Sequence, residues 1–124
     1  MRQLEAALKA AADPTRIRIL KLLEDRDLCV CQIQAVLGLA PSTVSKHLAI
    51  LKSAGLVEDR REARFIHYRL TPEGENAHAA SVLALLRGAI DRDHRILADR
   101  RKLREILRVP VAKLCAAPPA GRRG

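Results

Sequence analysis

Two short stretches of the 124-residue chain carry side chains whose types and spacing could do chemistry. The first is Leu28-Cys29-Val30-Cys31, two of the three cysteines with one residue between them. Cysteines at i, i+2 are too close to form an ordinary structural bridge, so the pair points to a metal or redox role. The second runs from Pro41 to Gly55 and presents Ser42, Thr43, Ser45, Lys46 and His47 in its first turns. These are short donors and acceptors with one cation and no carboxylate. A helix carrying them can approach a polyanion and reach both phosphate oxygens and base edges.

That second stretch reads as a helix on physical grounds. Proline suits a first helical position, where its missing N–H loses nothing. Val44, Leu48 and Leu51 recur at i, i+4, i+7 and make one buried stripe. Gly55 supplies the stop. Before it, residues 30–37 form a shorter helix with Ile33, Val36 and Leu37 inward, ended by Gly38. The turn Gly38-Leu39-Ala40 joins the two, which is a helix-turn-helix pattern. After it, residues 56–60 and 64–70 read as strands joined by Arg61-Glu62-Ala63. In the second strand Ile66, Tyr68 and Leu70 alternate with Phe65, His67 and Arg69. A hairpin bearing Arg61 and Arg64 directly after such a helix is a wing, and it raises the expectation of DNA binding.

The remaining elements frame this centre. Residues 2–12 form a first helix with Leu4, Leu8 and Ala11 on one stripe. Asp13-Pro14 starts a second helix to about Glu24. Thr71-Pro72 repeats that signal and is expected to open a long helical segment with Val82, Leu83, Leu86, Ala89 and Ile90 on its stripe, extended by Ile96 and Leu97. Leu103, Ile106 and Leu107 make a last amphipathic piece. From residue 109 the composition turns to a basic, proline-containing tail, expected to be flexible. The division is thus residues 1–108, a DNA-binding and dimerisation domain, and 109–124, the tail. The spare stripes of the first and long C-terminal helices predict a homodimer, since one small winged domain covers only a single half-site.

Composition narrows the function classes. Phe65 and Tyr68 are the sole aromatics, so the core is aliphatic and mainly helical. The formal net charge is +9, which favours an anionic partner. Most of it lies in residues 100–124, where eight lysines and arginines face one glutamate. Between Asp27 and Glu58 there is no acid at all. No run approaches the ~18 apolar residues of a membrane span and no signal-type apolar core opens the chain. A cytoplasmic protein with reduced thiols and no membrane partner is expected. No nucleophile, base and pocket converge, so an enzyme is not expected, nor an organic cofactor.

The stretches Ala12-Asp13-Pro14-Thr15-Arg16-Ile17-Arg18-Ile19-Leu20, Ser42-Thr43-Val44-Ser45-Lys46-His47-Leu48 and Phe65-Ile66-His67-Tyr68-Arg69-Leu70 resemble the ArsR/SmtB family of winged-helix repressors. The resemblance covers about residues 2–98. Leu28-Cys29-Val30-Cys31-Gln32-Ile33 is similar to the thiolate site of arsenic-responsive members. It implies a dimeric repressor on double-stranded operator DNA, released when As(III) or Sb(III) binds Cys29 and Cys31 as inducer. Three departures stand out. Gln34 occupies the place of a frequent third cysteine, the zinc site of other members is not reproduced around His78 and His94, and Ala63 stands where a wing glycine is common.

The chemistry agrees with that implication, because thiolates are the ligands a soft ion selects. Residues at i, i+2 do not share a helix face. Both sulfurs are therefore expected to meet one ion only where the backbone near Cys29–Cys31 bends or unwinds, in competition with the DNA-reading geometry. With Gln34 unable to supply a third sulfur, the choice lies between Cys115 on the tail and a small cellular thiol, the external thiol being favoured narrowly. The alternative function on the same scaffold is a redox-sensing repressor in which oxidation of Cys29 and Cys31 replaces ion binding.

Overall fold

In a computed structural model, which describes residues 1–116, the chain is mainly helical with a small antiparallel sheet. The elements are α1 (Arg2–Ala11), α2 (Pro14–Leu22), β1 (Leu28–Cys29), α3 (Val30–Leu37), α4 (Pro41–Ser53), β2 (Val57–Glu62), β3 (Phe65–Leu70), α5 (Ala77–Leu86), α6 (His94–Ile106) and α7 (Val111–Ala116). The sheet order is β1-β3-β2. This is a winged helix-turn-helix, with α3 and α4 as the paired helices and the β2–β3 hairpin as the wing.

Local chemistry sets the helix ends. Asp13 Oδ2 accepts from Arg16 N at 3.0 Å and Pro14 follows at N1, so α2 starts where the sequence signal stands. Gly38 closes α3 in the left-handed region at φ 68°. Val44, Leu48 and Leu51 of α4 are fully buried beside Ile19, Leu20, Ile33 and Leu56. Each such aliphatic side chain contributes about 2 kcal/mol of burial free energy, which ties the helix pair to one aliphatic core.

Three elements differ from the sequence reading. Thr71 is not a helix cap, because its hydroxyl donates to Gly55 O at 2.6 Å and closes the base of the wing. The helix begins instead at Asn76, whose Oδ1 accepts from His78 N and Ala79 N. The long C-terminal helix is two helices. Gly88 at φ 80° and Ile90 at φ 53° leave the right-handed region, and Asp93 then caps α6 by accepting from Arg95 N and Ile96 N. Finally, a helix occupies residues 111–116, within the stretch expected to be irregular, and packs on α3. Residues 117–124, the rest of the expected tail, lie outside the described residues.

The break lets α6 fold back over α2 and α3. Lys21, with a buried ammonium, secures the bend: its Nζ donates to Leu86 O at 2.8 Å and lies 2.9 Å from Glu24 and 3.0 Å from Asp91. Arg18 holds the returning helix by a two-pronged pair with Asp99. Leu4 and Leu8 of α1 stay largely exposed, as do Leu85, Ile90 and Leu97. No helix among the described residues is long and apolar enough to cross a membrane.

Candidate functional site

Cys29 does not belong to the helix that follows it. It is the last residue of β1 and the N-cap of α3, with extended backbone at φ −70°, ψ 148°. Its N–H donates to Gln32 Oε1 at 2.8 Å, one of the donors a helix start leaves open. Cys31 sits one residue inside the helix. Because one cysteine precedes the helix and the other lies in its first turn, their side chains converge without any unwinding. The departure from helical backbone expected at this pair is thus present, but as the helix's own start at Cys29 and not as an unwound turn, because the i, i+2 rule applies within a helix and this pair straddles its beginning.

A third sulfur joins them. Helix α7 brings Cys115 to α3, and the Sγ atoms of Cys29, Cys31 and Cys115 all lie within 4.8 Å of one another. Cys31 and Cys115 are joined as a disulfide, and Cys29, buried, keeps a free thiol 4.0 Å from Cys115 Sγ. The oxidised partner of Cys31 is thus Cys115, whereas the redox alternative read from the sequence named oxidation of Cys29 and Cys31 and did not involve Cys115.

The sulfurs border an open cleft of about 340 Å³, walled by Val30, Ala112 and the wing residues Arg64, Phe65 and Ile66. The strand β1 makes that contact inevitable, since Cys29 pairs with His67 and Leu28 with Tyr68 on β3. A two-residue strand has no periodicity, so the sequence offered no signal for it. The donor set, once the Cys31–Cys115 bond is reduced, fits a thiophilic ion: three cysteine sulfurs converge, and among the described residues no carboxylate borders this cleft to suit a hard cation.

The polar residues of α4 fall on its outer side. Ser42, Thr43, Ser45 and Lys46 are exposed, with Val44 and Leu48 beneath them. Arg61 and Arg64 are exposed on the wing, and the Arg64 guanidinium lies 5.4 Å from the Phe65 ring centre. His47 is different. Its Nδ1 lies 3.2 Å from Arg16 Nη1 and 3.9 Å from Asp13 Oδ2, and Arg16 Nε donates to Ala10 O at 2.6 Å. That contact fixes the helix against α2, a partner the spacing of His47 alone could not reveal. Ala63 adopts φ 56° at the wing tip, the conformation for which glycine is the easier residue.

Comparison with known proteins places this geometry among transcription regulators. A family model for bacterial regulatory proteins of the arsR family matches residues 13–59. The chain is 35% identical over 111 residues to the arsenic resistance transcriptional regulator ArsR1 of Pseudomonas putida, spanning 88% of this chain and 84% of that one. It is 42% identical over 65 residues to the arsenical resistance operon repressor of Escherichia coli, about half of each protein (52% and 56%). Among solved structures, the homodimeric winged helix-turn-helix DNA-binding domain of Mb0332 from Mycobacterium bovis matches with a TM-score of 0.62. The identity there is 33%, over 75% of this chain and 86% of that one.

Proposed function

The chain belongs to the ArsR/SmtB family of regulators, and from that premise we propose that it is a homodimeric, cytoplasmic repressor that releases its operator when As(III) or Sb(III) binds Cys29 and Cys31. The observation that carries this reading is the convergence of the two sulfurs at the start of the helix-turn-helix. Relatives named for arsenic resistance support it.

The mechanism follows from where the sulfurs sit. Cys29 is shared between β1, which pairs with the wing strand β3, and the N-cap of α3, which leads through Gly38-Leu39-Ala40 to α4. An ion held by Cys29 and Cys31 pulls on both DNA-facing elements at once. Arg64 stands on the wing and also walls the cleft, so a filled cleft alters a side chain assigned to phosphate contact. Release requires only that the ion binds more tightly to the arrangement that fits DNA less well. On the DNA side, Lys46, Arg61 and Arg64 meet phosphates while Ser42, Thr43 and Ser45 reach toward base edges, and His47, expected from the sequence to join them, instead holds α4 in place through Arg16.

Dimerisation would bury the exposed Leu4, Leu8, Leu85, Ile90 and Leu97, and the Mycobacterium bovis neighbour is described as homodimeric. A two-fold dimer reads half-sites about one helical turn, ~34 Å, or a multiple apart.

A second reading has its own observation, the Cys31–Cys115 bond. Peroxide would take two electrons as these two thiols join, forming one disulfide and two waters, and the bond would fix α7 on α3. The test runs on a duplex enriched by the protein from a random pool. The complex is titrated with arsenite under reducing conditions and, separately, with peroxide. Release by arsenite alone supports metalloid sensing. Release by peroxide alone replaces it with the redox reading.

A further inference from the structure

We infer that Cys115 is the third ligand of the metalloid site, supplied by the same chain, so that α7 is the element that closes the site over the ion. This rests on the Cys29–Cys31 reading and goes beyond it by completing the coordination shell. It also reverses the narrow preference for an external thiol drawn from the sequence.

The geometry carries the inference in three steps. Trivalent arsenic takes three sulfurs where it can, and Gln34 offers none. The three Sγ atoms of Cys29, Cys31 and Cys115 already lie within 4.8 Å of one another, one buried and two half-buried. The arrangement is built, because α6 is pinned to α2 by Arg18 and Asp99 and delivers α7 to α3 through the short link around Pro110. A free thiol must compete with a sulfur whose tether already ends at the site. A short tether alone gives an effective concentration of order mM, and a docked helix raises it further.

The step balances without any change of oxidation state. Arsenous acid, As(OH)₃, exchanges three hydroxides for three thiolates. Three As–S bonds form, three As–O bonds break, and the three thiol protons leave with the hydroxides as three waters. The Cys31–Cys115 disulfide must first be reduced, which two molecules of a small thiol accomplish by becoming a disulfide themselves. Oxidised protein is therefore left with Cys29 alone and is blind to the ion.

The experiment is X-ray absorption on full-length protein, reduced, freed of small thiols and given one equivalent of arsenite. Circular dichroism and duplex binding confirm that Cys115→Ser and Cys115→Ala are folded. The expected result is three sulfurs per arsenic in the wild type and two in either variant. Two sulfurs in the wild type would overturn Cys115 as a ligand while leaving the Cys29–Cys31 site intact. Three sulfurs in both wild type and variants would overturn it as well, by showing that the shell closes without this residue. No arsenic–sulfur bonding in the wild type would remove the metalloid reading itself.

Discussion

Arg18 grips Asp99 with two hydrogen bonds, Nε to Oδ2 at 2.8 Å and Nη2 to Oδ1 at 2.9 Å, across 81 residues of chain. Both side chains are largely buried, at 16% and 6% exposure. The pair holds α6 on α2 and so fixes the path that carries Cys115 back to α3. Removing one partner strands a buried charge, whereas replacing both with apolar groups does not. Asp99→Ala should lower unfolding free energy by about 3–5 kcal/mol, and the double variant Arg18→Met/Asp99→Leu should recover most of that loss. Urea denaturation at fixed protein concentration measures both. Equal losses in the single and double variants would show that packing, not the charge, holds α6.

At the wing tip, Ala63 holds φ 56° with no side-chain reason to favour it. Left-handed backbone costs a non-glycine residue on the order of 1 kcal/mol, and more when the side chain is branched. Glycine removes that strain but gains freedom in the unfolded chain, which offsets part of the benefit. Ala63→Gly should therefore stabilise by about 0.5 kcal/mol or less, and Ala63→Val should destabilise by ~1 kcal/mol or more. Thermal melts of the two variants rank them. A Val variant as stable as wild type would mean that the turn relaxes freely.

The same positions show what could be read from sequence. Pro14, Gly38 and Pro41 are local signals, each acting on its own few residues, and the helices they bound stand where they point. Failure came where a local signal had a distant competitor. Thr71 looked like a cap, but its hydroxyl is used by Gly55 O. The apolar stripe continued through Ile90, and nothing in a stripe announces that Ile90 turns left-handed. The thiolate pair was legible as a pair. Cys115 could be named as a candidate third sulfur, but its approach to the pair could not be read, because Cys31 and Cys115 are 84 positions apart and that path is closed by the Lys21 and Arg18 contacts, which have no sequence pattern of their own.

Lys46 and Ser45 are adjacent and exposed on α4, yet they should respond differently to truncation. An ammonium meets phosphate as a point charge, and a hydroxyl near base edges discriminates between them. Lys46→Ala should weaken binding to selected and random duplexes alike and reduce the salt slope by about 1. Ser45→Ala should weaken the selected duplex more than the random one. Fluorescence anisotropy across a salt series reads both. Equal loss on the two duplexes for Ser45→Ala would remove its role in sequence reading.

Leu85 is 72% exposed at the end of α5, an unusual place for a large aliphatic side chain unless something covers it. A carboxylate there should oppose burial against a second subunit. Leu85→Glu is expected to shift sedimentation from dimer toward monomer and to weaken operator binding, because each subunit then reads one half-site alone. Unchanged sedimentation would place the dimer contact elsewhere.

The two readings of the cysteines part at Cys29. It is the free thiol of the three, and it caps α3 with extended backbone. Serine is a preferred residue at such a cap, so Cys29→Ser should fold and bind DNA as the wild type does. Serine is also a poor ligand for a soft ion. In reducing buffer the variant should hold its duplex at arsenite concentrations that release the wild type. After peroxide it should still join Cys31 to Cys115, leaving no free thiol where the wild type leaves one. Thiol counting and anisotropy on the same samples separate these outcomes. Release of the Cys29→Ser variant at the wild-type arsenite concentration would show that the ion is held without Cys29. Peroxide release in both proteins, with no response to arsenite in either, would instead assign the switch to the Cys31–Cys115 bond, because that bond is the one change the two would then share.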